Sequence, residues 1–535
     1  MSGHSRRLAL ALATLTAGAG LLTAALLGTA TAAPSSGILK VGGTGNLDSV
    51  DPAIAYESTG WMFEYATAAK LYNYSETRSG VVVPEVAKRF TVSRDGKLYR
   101  FFLRKTFRFS DGAPVTARNF QYAFKRVLHQ DLSPVAGYIR TRSVYVKSFT
   151  SDGYVLTLRL ARLAPELLAT LALPFFQATS LKLPLNREVT HVNSIRDLPT
   201  AGPYTWSFND PDHRANIVRN PYYRGPRPHH VTGVELDMGL SVDDCYQRTV
   251  SGDLDLGCVP SSEVQNLAAT YGVSRTKPVK TGRFWVRANG CSWPIWINQA
   301  RALFRDNPSL RKAVNWAIDR TAMADLSPPY SVTPWTHLLP PDSPGSISAG
   351  GLQPYSLRPN IEKARELAVG HLRSGLITVA YDSFFSRGRA SAQLLRQALV
   401  DLGFDQSRID MQGFSGFDYP PADLMIGLGV CFDSSDPAEI LPFFLQKTGT
   451  GGPMGDFSTD SSLYRKKLAS ISRRPTGRAR LAALGRLDLE VTRKLAPTVD
   501  LMTSNTPYFF SGRVAPESLV YAWPYGWSFP ALRLK

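Results

Sequence analysis

Residues 91–128 read TVSRDGKLYRFFLRKTFRFSDGAPVTARNFQYAFKRVL, and the order of turns, strand and helix in them decides the fold class. Ser93-Arg94-Asp95-Gly96 supplies a tight turn, because Asp tolerates left-handed backbone and the Gly after it takes φ > 0 without strain. Residues 98–103, rich in Leu, Tyr and Phe, predict a strand. A second turn, Ser110-Asp111-Gly112, leads to Pro114 at an early helical position and Thr116 as N-cap. Phe120, Ala123, Phe124 and Val127 then recur at i, i+3, i+4 and i+7, the apolar stripe of an amphipathic helix.

Working outward, short motifs flank this block in a fixed order. Upstream stand Asp51-Pro52-Ala53, Leu71-Tyr72-Asn73-Tyr74 and Val83-Pro84-Glu85-Val86-Ala87. Downstream come Ala201-Gly202-Pro203-Tyr204, Arg219-Asn220-Pro221-Tyr222-Tyr223-Arg224-Gly225, Val250-Ser251-Gly252-Asp253, Ala317-Ile318-Asp319-Arg320 and Asp433-Ser434-Ser435-Asp436-Pro437. Together they resemble the pattern of family 5 of the bacterial extracellular solute-binding proteins, the oligopeptide- and dipeptide-binding components of ABC importers, in the actinobacterial form. In that pattern DGxxYxFxLR, FxDGxPVTAxD and YxxxR follow one another, and Asn119 departs from it by standing where the family usually has Asp.

The resemblance implies an α/β, periplasmic-binding-protein-like fold of class II (cluster C): two lobes joined by two strands, a hinged cleft between them, and an extra domain. By motif order, lobe I begins at 38–75, the extra domain spans 76–199, and lobe I resumes at 200–288. Lobe II covers 289–507, and 508–535 returns to lobe I. Local patterns agree: 376–381 and 423–430 read as apolar strands, and 390–402 as an amphipathic helix ending at Gly403, a βαβ rhythm. A chain of 535 residues also exceeds what one core usually supports.

The N-terminus reads as a leader for export. Arg6-Arg7 is a charged start, residues 8–27 an apolar run, and Ala30-Thr31-Ala32 a small-residue cleavage site, so a signal peptide over 1–32 is expected. Ser5-Arg6-Arg7-Leu8 departs from a twin-arginine signal at Ala9, which favours the general secretory route, and cleavage after Ala32 is expected over retention of the apolar run as a membrane anchor. Gram-positive relatives of this type are usually lipoproteins, but Thr29 follows Leu26-Leu27-Gly28 and no Cys precedes Cys245. An extracellular or cell-envelope protein without a lipid tether is therefore expected.

Charge and cysteine usage narrow the function further. Removing the leader takes two Arg and no acid, leaving 59 basic against 43 acidic residues, a formal +16. Such a surface suits an anionic envelope. Nucleic acid is excluded as a partner by scattered charge and the lack of a recognised binding motif. Cys245, Cys258, Cys291 and Cys431 form an even set with three possible connectivities. The resemblance implies Cys291 with Cys431, because Cys291 lies seven residues before Asn298 and Cys431 two before Asp433, and hence Cys245 with Cys258.

No enzyme is expected. Gly290-Cys291-Ser292-Trp293 has the wrong order for a thiol-protease nucleophile, and no G-x-S-x-G, H-E-x-x-H or phosphate-cradling loop appears. No cofactor or metal is expected either, since His229-His230 follows a Pro- and Arg-rich loop rather than a metal-ligand spacing.

In the family a peptide lies extended in the cleft and adds a strand, so main-chain hydrogen bonds carry affinity. The resemblance places this at residues 428–433, with Gly429 and Cys431 offering backbone groups and Asp433 facing the ligand's α-ammonium. The facing loop runs from Tyr56 through Ser58 to Gly60, with Trp61 either walling it or in the core. Arg387, or Arg389, is expected at the carboxylate end, and Phe414 takes the place of a family Trp. Val430 replaces another Trp and Gly427 an Arg, implying a roomier pocket. The expected protein is a monomeric receptor that delivers oligopeptides to ABC permease subunits in the membrane. The alternatives are a family member binding arginine, a sugar, an opine or a metal chelate, and an enzyme or scaffold on the same fold in a specialised-metabolite pathway.

Overall fold

A computed structural model describes residues 37–78, 80–129, 132, 146–348, 353–384, 387–416, 418–445, 461–474, 477–522 and 524–535. The leader lies outside them. No helix among the described residues is long and apolar enough to cross a membrane.

The strands in chain order are β1 (Ile38–Gly42), β2 (Tyr72–Tyr74), β3 (Val82–Pro84), β4 (Ala87–Val92), β5 (Leu98–Leu103), β6 (Val146–Asp152), β7 (Val155–Leu160), β8 (Tyr204–Asp210) and β9 (Arg214–Arg219). Then follow β10 (Gly233–Asp237), β11 (Leu256–Gly257), β12 (Phe284–Ile297), β13 (Val332–Pro334), β14 (Ile377–Asp382), β15 (Ile409–Phe414), β16 (Leu424–Ile426), β17 (Val430–Cys431) and β18 (Thr498–Phe510). Two helices matter for the site, α1 (Ser58–Thr67) and α2 (Ala117–Val127).

One sheet carries most of the strands, in the order β15-β14-β16-β12-β18-β11-β1-β10-β9-β8. Its middle is the antiparallel pair of the 14-residue β12 and the 13-residue β18, which passes from one half of the molecule to the other. In one half, parallel β14, β15 and β16 pack under the helix Gly388–Leu402, the predicted βαβ unit. In the other, β1 runs parallel to β10, and β8 and β9 close the edge. The β12–β18 register breaks between Ala288 and Ser292, where Gly290 takes φ +75°. That bulge lies at the junction of the halves.

The stretch over 91–128 forms as the sequence predicts. Gly96 takes φ +70° and donates to Ser93 O, β5 covers the predicted strand, and Gly112 takes φ +86° in the second turn. β5 joins β4, β7 and β6 in a separate four-stranded sheet. Pro114 lies before the helix, bridged to Arg108, rather than inside its first turn. Asn119 explains its own departure: Oδ1 accepts from Thr116 N at 2.9 Å and closes a capping box, while Nδ2 donates to Thr179 O at 3.0 Å. An Asp there lacks that second donor.

Residues 423–430, expected as one strand, are two. Gly427 at φ +105° breaks the run between β16 and β17, and a Cβ at Gly427 would stand 2.7 Å from Asp382 Cβ. The left-handed turn and the close approach both require glycine.

Candidate ligand-binding site

The motifs that surround the site form a scaffold of buried ion pairs. Asp51 receives a fork of two 2.7 Å bonds from Arg126, the Arg of the YxxxR motif, and both are essentially inaccessible. The same carboxylate accepts from Ala53 N and Val189 N. Glu85 of the Val-Pro-Glu motif pairs with Arg227 at 2.7 Å, and Arg227 also donates to the carbonyls of Tyr65 and Ala68. Asp436 takes the buried Arg480 at 2.6 Å and caps its own turn through Ala438 N. A buried charge persists only when paired and hydrogen-bonded, so each pair locks two sequence-distant segments into one arrangement.

On this scaffold the loop before α1 faces β17. Asp48 Oδ2 accepts from the backbone N–H groups of Tyr56 and Glu57, and Gly60 leaves room for that carboxylate. The Tyr56 ring stacks on Phe175 at 6.4 Å and meets Trp61 edge-on at 5.7 Å. So held, the Tyr56 hydroxyl donates to Asp433 Oδ1 at 3.0 Å across 377 residues of sequence. A second contact runs alongside, where Ser435 N donates to the hydroxyl of the buried Tyr74 at 3.1 Å. Trp61 is core, 5% exposed, with its indole N–H donated to Ala55 O.

β17 is positioned by a disulfide and by strand alternation. Cys291 and Cys431 are bonded opposite one another, with Cα atoms 4.0 Å apart, and Cys245 is bonded to Cys258. Opposed residues this close form a non-hydrogen-bonded pair of an antiparallel ladder. Phe432 N donates to Gly290 O, so Val430 and Phe432 address β12. Alternation therefore turns the main-chain groups of Gly429 and Cys431 to the other edge, where no strand of the described residues pairs. Gly429 lies on the face of Trp293, where a Cβ would stand 3.2 Å from the indole, and Trp296 donates to Leu428 O at 2.9 Å.

The remaining candidates are spread more widely. Ser58 is exposed in the first turn of α1, beside Tyr56. Arg387 stands on Trp293 at 5.1 Å and donates to Ser327 Oγ at 2.9 Å, bordering a small hollow of about 30 Å³ with Gly427 and Met502. Arg389 is exposed on the following helix. Phe414 is only 4% exposed, packed edge-on against Tyr419 at 5.1 Å, so its ring offers a ligand almost no surface in this conformation. Val430 is equally a core residue. Phe414 and Val430, the two positions expected to take the place of a Trp, thus both turn inward.

Beneath the Tyr56 loop lies a buried titratable group. Glu64 on α1 accepts from Gln177 Nε2 at 2.6 Å, and burial pushes its carboxyl up to about 8. Lys70, its ammonium 4.7 Å from the Tyr525 ring centre, is brought down to about 7, chiefly by burial and then by Arg227.

Of three contributors not singled out from the sequence, two carry little or no signal there. Asp48 serves an N-terminus eight and nine residues ahead of it, outside any local capping spacing. Tyr74 is one more aromatic in an aromatic motif until Ser435 is beside it. Trp293 does leave a signal, since period-two alternation puts it on the face of Cys291.

The fold and the facing segments define a hinged two-lobed binding protein, with a cleft between the halves of the sheet. The chain belongs to the bacterial extracellular solute-binding proteins, family 5, whose middle-region model matches residues 81–452. It is similar to a dipeptide-binding protein of Bacillus subtilis (strain 168), 25% identical over 402 residues and 70% of each chain. An oligopeptide-binding protein of the same organism is 22% identical over 433 residues and 75% of each chain. Among solved structures, clavulanic acid biosynthesis oligopeptide binding protein 2 superposes with a TM-score of 0.75 at 20% identity, covering 94% of this chain and 96% of that one. A periplasmic binding protein in complex with agropinic acid, from A. tumefaciens R10, superposes with a TM-score of 0.66 at 17% identity, covering 93% and 99%.

Proposed function

We propose that this protein is exported, captures short peptides in the cleft between its lobes, and presents them to an ABC permease in the membrane. The observation that carries the reading is the Tyr56–Asp433 junction beside the unpaired edge of β17. An extended peptide adds to that edge through the main-chain groups of Gly429 and Cys431, so its backbone is bound whatever its side chains. The absent side chain at Gly429 lets the Trp293 indole lie flat against this segment, as the floor of the site. Asp433 pairs with the peptide's α-ammonium, exchanging the Tyr56 hydroxyl for a charged donor. Arg387, with an indole beneath it, is the candidate for the carboxylate end. The names of the dipeptide- and oligopeptide-binding relatives support the same reading.

Domain limits follow the same view. Lobe I comprises 38–75, 200–288 and 508–535, lobe II comprises 289–507, and the sheet of β4–β7 belongs to the extra domain over 76–199. Calorimetry with a library of free di- to pentapeptides tests the function. Saturable binding that is lost on N-acetylation of the peptide and in Asp433→Ala is expected, and its absence across the library sinks the proposal.

A second reading has its own support. The neighbour bound to agropinic acid and the inward turn of Phe414 and Val430 fit a non-peptide acid ligand. Binding of such an acid in place of every peptide, lost in Arg387→Ala and kept in Asp433→Ala, distinguishes it.

A further inference from the structure

A groove separate from the Tyr56–Asp433 site runs between the β4–β7 sheet and the helix Ser462–Ser472. It comprises a larger cavity of about 580 Å³ and a smaller one of about 350 Å³. Leu163, Ser472 and Arg473 border both, so the two adjoin. Each lies in the size range of small-molecule sites. The floor is apolar, with Leu163, Leu168, Leu445 and Leu468 among its surfaces. Among the described residues the charged lining is one-sided: Lys97, Arg162, Arg465, Arg473 and Arg474 stand against the one carboxylate of Glu166. Glu166 is already held by Arg162 at 2.8 Å. Arg473 and Arg474 are exposed at the end of their helix, and their guanidiniums have no hydrogen-bond or ion-pair partner among the described residues.

We propose that this groove is a second ligand site, for a free acidic amphiphile: a carboxylate with an alkyl or aryl body. The apolar body lies along Leu163, Leu168 and Leu468, and Arg473 and Arg474 meet the carboxylate at the solvent end. Burial of the apolar body against these side chains supplies the affinity. The cations select the sign of the head group and hold it where it stays partly hydrated, which avoids the cost of burying a charge. A lining of five cations disfavours a cationic head equally.

The probe is 11-(dansylamino)undecanoic acid, titrated into the full mature protein and followed by dansyl fluorescence, with its methyl ester as the uncharged control. Saturable one-to-one binding is expected, about tenfold weaker for the ester and in Arg473→Glu with Arg474→Glu, and unchanged in Asp433→Ala. Ala469→Trp, an exposed position on the groove wall, keeps the fold and blocks the site, so it abolishes binding while thermal unfolding is unaltered. Absence of saturable binding, indifference to the double charge reversal, or loss in Asp433→Ala overturns the proposal. So does binding to phosphatidylglycerol vesicles through the same arginines without binding of the free acid, which makes the groove a membrane contact. Because Asp433→Ala removes peptide binding but spares the probe, failure of this site and failure of the peptide reading are told apart.

Discussion

The motif-bearing scaffold and the cleft strand solve different physical problems. Around Asp51–Arg126 and Glu85–Arg227, full charges are taken out of water and must meet particular partners. Around Gly427–Asp433, the groups proposed to meet a ligand are main-chain N–H and C=O and one carboxylate, beside a glycine packed on Trp293. Removing one partner of a buried pair strands the other charge, whereas a backbone edge tolerates many side chains as long as they do not block it. The motif residues Asp51, Arg126, Glu85 and Asp436 are accordingly scaffold, each buried in an ion pair.

That contrast is broken most directly at Arg126. Arg126→Ala leaves Asp51 buried and unpaired and is expected to cost about 3–5 kcal/mol of stability, read by denaturant unfolding, with peptide affinity of the folded fraction little changed. A large affinity loss without destabilisation would erase the distinction. The Cys291–Cys431 bridge fastens β17 to the central strand β12, so Cys291→Ser with Cys431→Ser should affect both stability and binding. About 2–4 kcal/mol of stability is expected to go, for closure of a loop of 140 residues, together with a several-fold faster peptide off-rate.

Within the cleft the balance reverses. Asp433→Ala should cost about 50- to 100-fold in peptide affinity by calorimetry while leaving the unfolding midpoint within error, if its charge pairs with the ligand as proposed. Tyr56→Phe removes one neutral donor and is expected to shift affinity only about fivefold, as one hydrogen bond is worth about 1 kcal/mol.

The smallest effect concerns pH and the scaffold under the cleft. Burial raises the Glu64 carboxyl from 4.5 to about 8, so the folded protein binds this proton more tightly than the unfolded chain. Its contribution is complete below about 4.5 and is lost as pH rises through about 8. Glu64→Gln, which keeps the contact to Gln177, should therefore lose less stability than the wild type between those values, by a few degrees in Tm. Parallel pH profiles of the two proteins would count against the buried acid.

Much of the fold is legible in the sequence because its signals are local. The turns at Gly96 and Gly112, the strand at 98–103 and the capped helix after Thr116 are specified by residues within reach of one another. The single strand expected over 423–430 fails because hydropathy reports burial and not dihedral angle, and Gly427 sits half-buried in an apolar run while taking φ +105°. Motif order points to Asp433, Gly429 and Tyr56, and the structure brings them to one place. The same route points to Phe414, which lies in the core, since a position in a motif does not say which way a ring turns.

By itself, then, the amino-acid sequence determined the family, the α/β class, the pool of four cysteines and the expectation of export, all of which depend on residue type and order. Only the tertiary structure decided that Asp51 meets Arg126 and that Tyr56 reaches Asp433. It alone turned one edge of β17 outward and set a basic groove behind Leu163. The reason is distance along the chain: pairing across 75 or 377 residues depends on how whole sheets pack, and no short window of sequence contains that information.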